Sequence, residues 1–216
     1  MYSDVFRHAV PFVKAGMTCN EFSESRRRLL LATGGSFCAP LAAGVSAAPS
    51  DTPEARLREL LSDRRSLRLL RGDEQLEAIY WTADAGYNRD EYLNICWLMR
   101  DMLADRVFPM NHGLLDVLCG VQAWLARTGV EAPLRIHSGY RSPRTNQRTE
   151  GAALNSRHLV GRAVDISVAG VPNLRLAGMA SVLGRGGTGL YPGRNFVHVD
   201  TGDERIWIDR ARKKPT

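Results

Sequence analysis

Two segments set the strictest limits on the fold. The first, Ser156 to Asp165, reads Ser-Arg-His-Leu-Val-Gly-Arg-Ala-Val-Asp, and the second, Phe196 to Asp200, reads Phe-Val-His-Val-Asp. Read as a strand over residues 162–168, the first places Val164, Ile166 and Val168 on one face and Ala163, Asp165 and Ser167 on the other. Read the same way over residues 195–201, the second places Val197 and Val199 on one face and Phe196, His198 and Asp200 on the other. Two such strands bury their β-branched faces and offer His198, Asp200 and Asp165 on the opposite side. His158 stands just before the first strand, and Gly161 lets the chain turn between it and Asp165. A single His or Asp on a strand is ordinarily a solvated or hydrogen-bonded residue. Two imidazoles and a carboxylate that converge with a fourth position open suit a catalytic zinc.

The combined pattern, Ser-x-His-x-x-Gly-x-Ala-x-Asp followed by His-x-Asp, resembles that of the LAS metallopeptidases, the group of lysostaphin, the D-Ala-D-Ala peptidases and the hedgehog domain. From Leu76 to Trp207 the chain is similar to the murein endopeptidase K branch of that group. The stretches that carry the likeness are Tyr80-Trp81, Leu98 to Asp101, Ser138 to Pro143, Thr145-Asn146, Ser156 to Asp165, Gly186 to Pro192 and Phe196 to Gly202. The resemblance implies an α+β fold, a small antiparallel sheet flanked by helices, with zinc held by His158, Asp165 and His198. It also implies cleavage of peptide cross-links in peptidoglycan, with the stem peptides as partners; a monomer is the separate expectation.

Amide hydrolysis at neutral pH needs an activated water and a group to take its proton. Arg141 is always charged and can bind a peptide carboxylate or steady an oxyanion. Ser156 either donates a hydrogen bond to substrate or caps a turn. Many relatives carry a Glu or Asp three residues before the last His ligand, where this chain has Asn195. Others carry a His two residues before it, where this chain has Phe196. Asp200 is the nearest carboxylate. It acts either as the base or as the partner that orients His198, and His137 is a further candidate for the base. The missing Glu keeps open a non-catalytic, zinc-containing wall-binding module. A carboxypeptidase that trims stem peptides is the other alternative.

Residues 1–47 read as a twin-arginine export signal, so the expected location is the periplasm. Arg26-Arg27 precede a weakly apolar run, Ala32 to Val45, and Val45-Ser46-Ala47 offers cleavage after Ala47. Gly34, Gly35, Pro40 and Gly44 suit a core helix poorly. Met17 is an alternative start. Five of the 29 Lys and Arg and three of the 23 Asp and Glu lie before Ala48, which leaves the remainder near +4. That balance suits an anionic polymer. Its arginines are scattered without interleaved aromatics, which speaks against nucleic acid, and no apolar run there is long enough to cross a membrane. Cys96 and Cys119 stay in the mature chain, either paired or as two buried thiols.

The remaining chain divides into an N-terminal helix and lead-in over 48–75, a zinc peptidase domain over 76–210 and a basic tail over 211–216. Thr52-Pro53 opens a helix to about Ser62. Ser66 to Arg71 and Leu76 to Trp81 read as strands around a Gly72-Asp73 turn. Helices are expected over Asn88 to Leu103, from His112 to Arg127, and over Asn173 to Leu183. Tyr92, Cys96 and Met99 mark one apolar stripe; Leu114, Leu118, Val121 and Leu125, with Val117, mark another. Pro133 to His137 reads as a strand that feeds a loop over Ser138 to Pro143. The glycines from Gly184 to Gly189 lack the Lys-Ser/Thr pair of a phosphate loop and suit a close approach of backbones. Arg205 to Trp207 reads as a last strand.

Overall fold

The computed structural model describes residues 52–61, 63–184 and 186–209. The segments read as an export signal and a basic tail lie outside the described residues. Helix α1 (Pro53–Leu60) starts as expected, with Thr52 Oγ1 accepting the Ala55 amide and Pro53 in the first turn. Strands β1 (Arg64–Arg71) and β2 (Glu74–Thr82) make an antiparallel hairpin, and the two-residue strand β3 (Gly86–Tyr87) extends it. Helices α2 (Arg89–Leu98) and α3 (His112–Arg127) follow, capped by Asn88 and Asn111. The second half runs β4 (Leu134–Ser138), α4 (Pro143–Arg148), β5 (Ala163–Val168), α5 (Asn173–Leu183), β6 (Gly187–Tyr191), β7 (Phe196–Asp200) and β8 (Arg205–Ile208).

The fold class is α+β. The eight strands of the described residues share one sheet in the order β3-β2-β1-β4-β5-β7-β6-β8. Most pairings are antiparallel, but β1–β4 and β6–β8 are parallel, so the sheet is mixed where an antiparallel one was expected. Strand β1, in the segment read as a lead-in, lies between β2 and β4. Helix α3 packs on β1, α5 on β6 and β7, and α1 on both helices. Leu114, Val117, Leu118, Val121 and Leu125 of α3 are buried against Leu67, Leu69, Leu134, Ile136, Ile166 and Val197 of the sheet. The expected helical stripe and the expected strand faces are therefore one core. Each such side chain contributes about 1.5–3 kcal/mol by leaving water. The opposite face of β4, β5 and β7 becomes the floor of a cleft that residues of α4 and of the Arg157–Val160 turn also line.

Two local expectations are corrected and an open one is resolved. Helix α2 ends at Leu98, five residues before Leu103, because other donors claim its last carbonyls. Arg71 Nη1 donates to Leu98 O at 2.9 Å and to Arg100 O at 2.6 Å. Asp101 and Arg106 then pair across a turn in which Asp105 has φ 46°. Within the loop read over Ser138 to Pro143, the Ser142-Pro143 pair starts helix α4, with the Ser142 hydroxyl accepting the Thr145 amide. The cysteines, left open between a disulfide and thiols, are two separate buried thiols.

Asp101 ties the α2 turn to the loop after β4. Its Oδ2 accepts the Ser142 amide at 2.8 Å, and its Oδ1 accepts the amides of Leu103 and Ala104. Burial works to raise this carboxyl. Hydrogen bonds from Thr145, Ser142 and Ala104 outweigh burial and bring it down to about 2. A depressed folded value gives stability that is complete above the unfolded value of 3.8 and is lost as pH falls through about 2. Asp101→Ala should lower unfolding stability by about 1–3 kcal/mol at pH 7, the range for buried amides left without a charged acceptor. In denaturant titrations the gap between variant and parent should narrow between pH 4 and 2. A gap that stays constant over that range would contradict the account.

Candidate active site

His158 lies on a short 3-10 turn, Arg157–Val160, between strand β5 and the loop after β4. Ser156 Oγ accepts the His158 amide at 3.4 Å, and Gly161 ends the turn with φ 63°. A Cβ at Gly161 would lie 2.2 Å from Pro109 O, so both backbone angle and space require glycine there. His158 is 1% exposed, and its Nδ1 donates to Gly139 O at 2.6 Å. That bond fixes the tautomer and leaves Nε2 pointing into the cleft floor as an acceptor.

The pairing of β5 with β7 sets Asp165 opposite His198. His198 Nδ1 lies 2.9 Å from Asp165 Oδ1 and 3.2 Å from His158 Nε2, and His158 Nε2 lies 3.3 Å from the same oxygen. The far nitrogen of His198, Nε2, donates to Asp200 Oδ2 at 2.9 Å. Three ligand atoms on a tetrahedral zinc with bonds near ~2.0–2.1 Å stand about 3.3–3.4 Å apart. The triangle of His158 Nε2, His198 Nδ1 and Asp165 Oδ1 thus accepts such an ion with shifts of about half an ångström or less. Nitrogen and carboxylate donors, each held from behind by a further hydrogen bond, fit zinc chemistry.

The ionisable groups of the triangle are shifted by burial and by one another. Burial works against ionisation of Asp165, but His158 and His198 outweigh it and hold its carboxyl far below the usual range. Burial lowers His158, which favours the neutral imidazole that can act as a ligand. His198 is raised: burial pulls it down, and hydrogen bonds to Asp165 and Asp200 more than offset that. Burial also opposes the charge on Asp200, and His198 together with the Gly202 and Gly187 amides keeps it ionised.

The three donors sit at the floor of an open cleft of about 1100 Å³. Arg141 is 12% exposed and well anchored. Its Nε donates to Ser138 Oγ at 3.0 Å and its Nη2 to Asp165 Oδ2 at 3.1 Å. Its Nη1 makes no hydrogen bond among the described residues. Ser156 lines the same cleft and caps the His158 turn. His137 is exposed on β4, 2.7 Å from Ser167 Oγ through Nε2, and burial lowers its pKa. Asn195 and Phe196 have structural places. Asn195 adopts the left-handed conformation just before β7, with φ 55°, and accepts from Asn173. Phe196 stacks on Tyr191 with centroids 4.6 Å apart. Trp207 stands 5.3 Å from the His198 ring and donates its Nε1 to Tyr191 Oη. These aromatics wall one side of the cleft, and the exposed Met102 and Leu103 line it at the α2 turn.

The sequence brought out His158, Asp165, His198, Asp200, Arg141 and Ser156, and all six come together. It did not bring out the Gly139 carbonyl behind His158, nor Arg205 and Trp207 of β8. Backbone acceptors leave no residue-type signal. The available sign for β8 was the glycine run that pairs with it.

The family described as peptidoglycan L,D-endopeptidase MepK matches residues 60–207. The peptidoglycan L,D-endopeptidase MepK of Escherichia coli K12 is 31% identical over 192 residues, covering 87% of this chain and all of the relative. A probable peptidoglycan L,D-endopeptidase MepK of Haemophilus influenzae is 31% identical over 196 residues, 86% of this chain and 97% of that one. The zinc D-Ala-D-Ala carboxypeptidase of Streptomyces albus G is 36% identical over 84 residues, covering 36% of this chain and 31% of the relative. The family match spans the whole sheet up to Trp207 together with every residue of the triangle, and on that ground the chain belongs to the peptidoglycan L,D-endopeptidase MepK family.

Proposed function

We propose that this protein is a zinc-dependent peptidoglycan endopeptidase that hydrolyses peptide cross-links outside the cytoplasm, acting as a monomer. The observation that carries the reading is the convergence of His158 Nε2, His198 Nδ1 and Asp165 Oδ1 on the floor of an open cleft. Near-complete coverage of relatives named for this activity supports it. The open cleft of about 1100 Å³ leaves room for a peptide segment over the three donors. Bound zinc lowers the pKa of a water to about 7 and polarises the scissile carbonyl.

The chain's own residues supply the rest. Arg141, pinned through Nε and Nη2, offers Nη1 to a carbonyl or carboxylate oxygen of the stem peptide and stabilises negative charge that grows there. Ser156 keeps its hydroxyl hydrogen for a second contact while its oxygen caps the turn. Tyr191, Phe196 and Trp207 shield the peptide from water. Asp200 serves as the orienting partner of His198. Both its oxygens are already filled by His198, Gly187, Gly202 and Arg205, which leaves it no free lone pair aimed at the reacting water. The candidates that remain for the base are His137, which lines the cleft and whose pKa burial lowers, and a group supplied by a loop.

Digestion of purified sacculi by the mature domain should release cross-link cleavage products identified by mass, and a chelator should abolish them. His158→Ala and His198→Ala should lose both zinc and product. Binding of sacculi without product would instead favour the non-catalytic module, and products lacking only terminal residues would favour the carboxypeptidase. Asp200→Asn should bind zinc about 10–100-fold more weakly, with activity restored by excess zinc. Retention of zinc with a loss of about 10²–10⁴-fold in turnover would instead make Asp200 the base. Full activity at every zinc level would reject both roles.

The substrate lies beyond the cytoplasmic membrane, so the enzyme must be exported. Arg26-Arg27 and the weakly apolar run after them support the twin-arginine route, which carries folded proteins. Replacing both arginines with Lys should leave precursor in the cytoplasm in a fractionation experiment. Normal periplasmic accumulation of that variant would argue against this route.

A further inference from the structure

Arg205 stands outside every motif of the sequence and touches none of the three ligand residues. We propose that it is a positioning residue for the metal centre, acting through Asp200 to hold His198 with Nδ1 directed at Asp165 and His158. The inference rests on the ligand assignment above.

Asp200 is the carboxylate behind His198. Its side chain is fully buried, while Arg205 is 45% exposed and reaches in from β8. Arg205 Nη2 donates to Asp200 Oδ2 at 2.7 Å, the same oxygen that accepts from His198 Nε2 at 2.9 Å. Arg205 Nη1 lies 3.4 Å from Asp200 Oδ1, and Oδ1 also takes the amides of Gly187 and Gly202. A buried carboxylate is costly without a counter-charge, and Arg205 brings a guanidinium to this one beside the His198 ring. The guanidinium grips both oxygens and so fixes the plane of the carboxylate. That plane fixes where the acceptor for His198 Nε2 lies, and hence the rotation of the ring.

Arg205 is itself held. Its Nη1 donates to Asp203 O at 2.9 Å, and its guanidinium lies 5.0 Å from the centre of the Trp207 ring. The sheet is built to admit it. In the parallel pairing of β6 with β8, Gly187 stands opposite Arg205 and Gly189 opposite Trp207. A Cβ on Gly187 would come within 2.6 Å of Asp200 Oδ2 and 2.7 Å of Arg205 Nη1, and one on Gly189 within 2.4 Å of the indole. Two glycines therefore leave the space in which the Arg205–Asp200 pair and the Trp207 ring pack behind and beside His198.

The test is the zinc affinity of the metal-free full chain, measured by competition with a chromogenic chelator. Arg205→Ala should weaken zinc binding by about tenfold or more, as loss of a partner behind a ligand does. Arg205→Lys restores one contact of the two and should bind with intermediate affinity. Arg127→Ala, which removes an exposed ion pair with Glu59 far from the cleft, should bind like the parent. Parent-like affinity in Arg205→Ala, in a chain that does bind zinc, overturns this inference alone. Should Arg205→Ala fail to fold, Arg205→Lys decides: several-fold weaker binding upholds the role, and parent-like binding overturns it. A parent chain with no zinc affinity overturns the ligand assignment, and this inference with it.

Discussion

Asp165 is buried among two imidazoles and a guanidinium, and the geometry of the cleft follows from how that charge is accommodated. Its Oδ1 is shared by His158 and His198, and its Oδ2 holds Arg141. A carboxylate in this setting is costly unless each lone pair is met, and removal of one partner commonly costs about 3–5 kcal/mol. The backbone is arranged to meet it. Strand β5 places Asp165 opposite His198 through the register with β7, and the glycine-ended turn brings His158 alongside. The loop after β4 delivers Arg141 together with the carbonyl that fixes His158. That loop is in turn held by Asp101, which is anchored where α2 ends. Core packing and site geometry are thus coupled, because the strands that bury Val164, Ile166, Val197 and Val199 on one face carry the donors on the other.

Each of the three proposed ligands has a backing contact suited to its chemistry. His158 has a carbonyl, which suits a neutral ring that gives up one proton donor. His198 has a carboxylate, which strengthens its basicity as a ligand. Asp165 has a guanidinium, which leaves one oxygen free to bind. Such outer partners govern metal affinity nearly as much as the ligands do. At position 195 the chain has Asn in place of an acidic residue. That position is a left-handed turn residue, and Asn meets the turn's requirement there.

Much of this was legible in the sequence where the signal is local. The alternation in β5 and β7 gave the correct faces because a strand has a period of two. The stripe on α3 and the span of α5 followed from helical spacing, and the Thr52-Pro53 start followed from cap chemistry. The glycine between His158 and Asp165 was legible as a turn, because that position needs it. What could not be read was non-local. The end of α2 depends on Arg71, 27 residues away in the chain from Leu98. The parallel pairings β1–β4 and β6–β8 join segments with no hairpin signal, and β3 is two residues long. Arg205 carries no periodic or motif signature, and its place becomes evident only once Gly187 is seen opposite it. The choice of roles for Asp200 likewise turned on which donors reach its two oxygens.

The central claim is that one zinc is held by His158 Nε2, Asp165 Oδ1 and His198 Nδ1, with His198 Nε2 turned away toward Asp200. Anomalous diffraction at the zinc edge from crystals of the zinc-loaded protein tests it most directly. The account predicts a single strong peak within about 2.0–2.2 Å of those three atoms, with the Nε2–Asp200 hydrogen bond preserved. A peak bonded to His198 Nε2, a zinc held by other residues, or no ordered zinc at this triangle would contradict it.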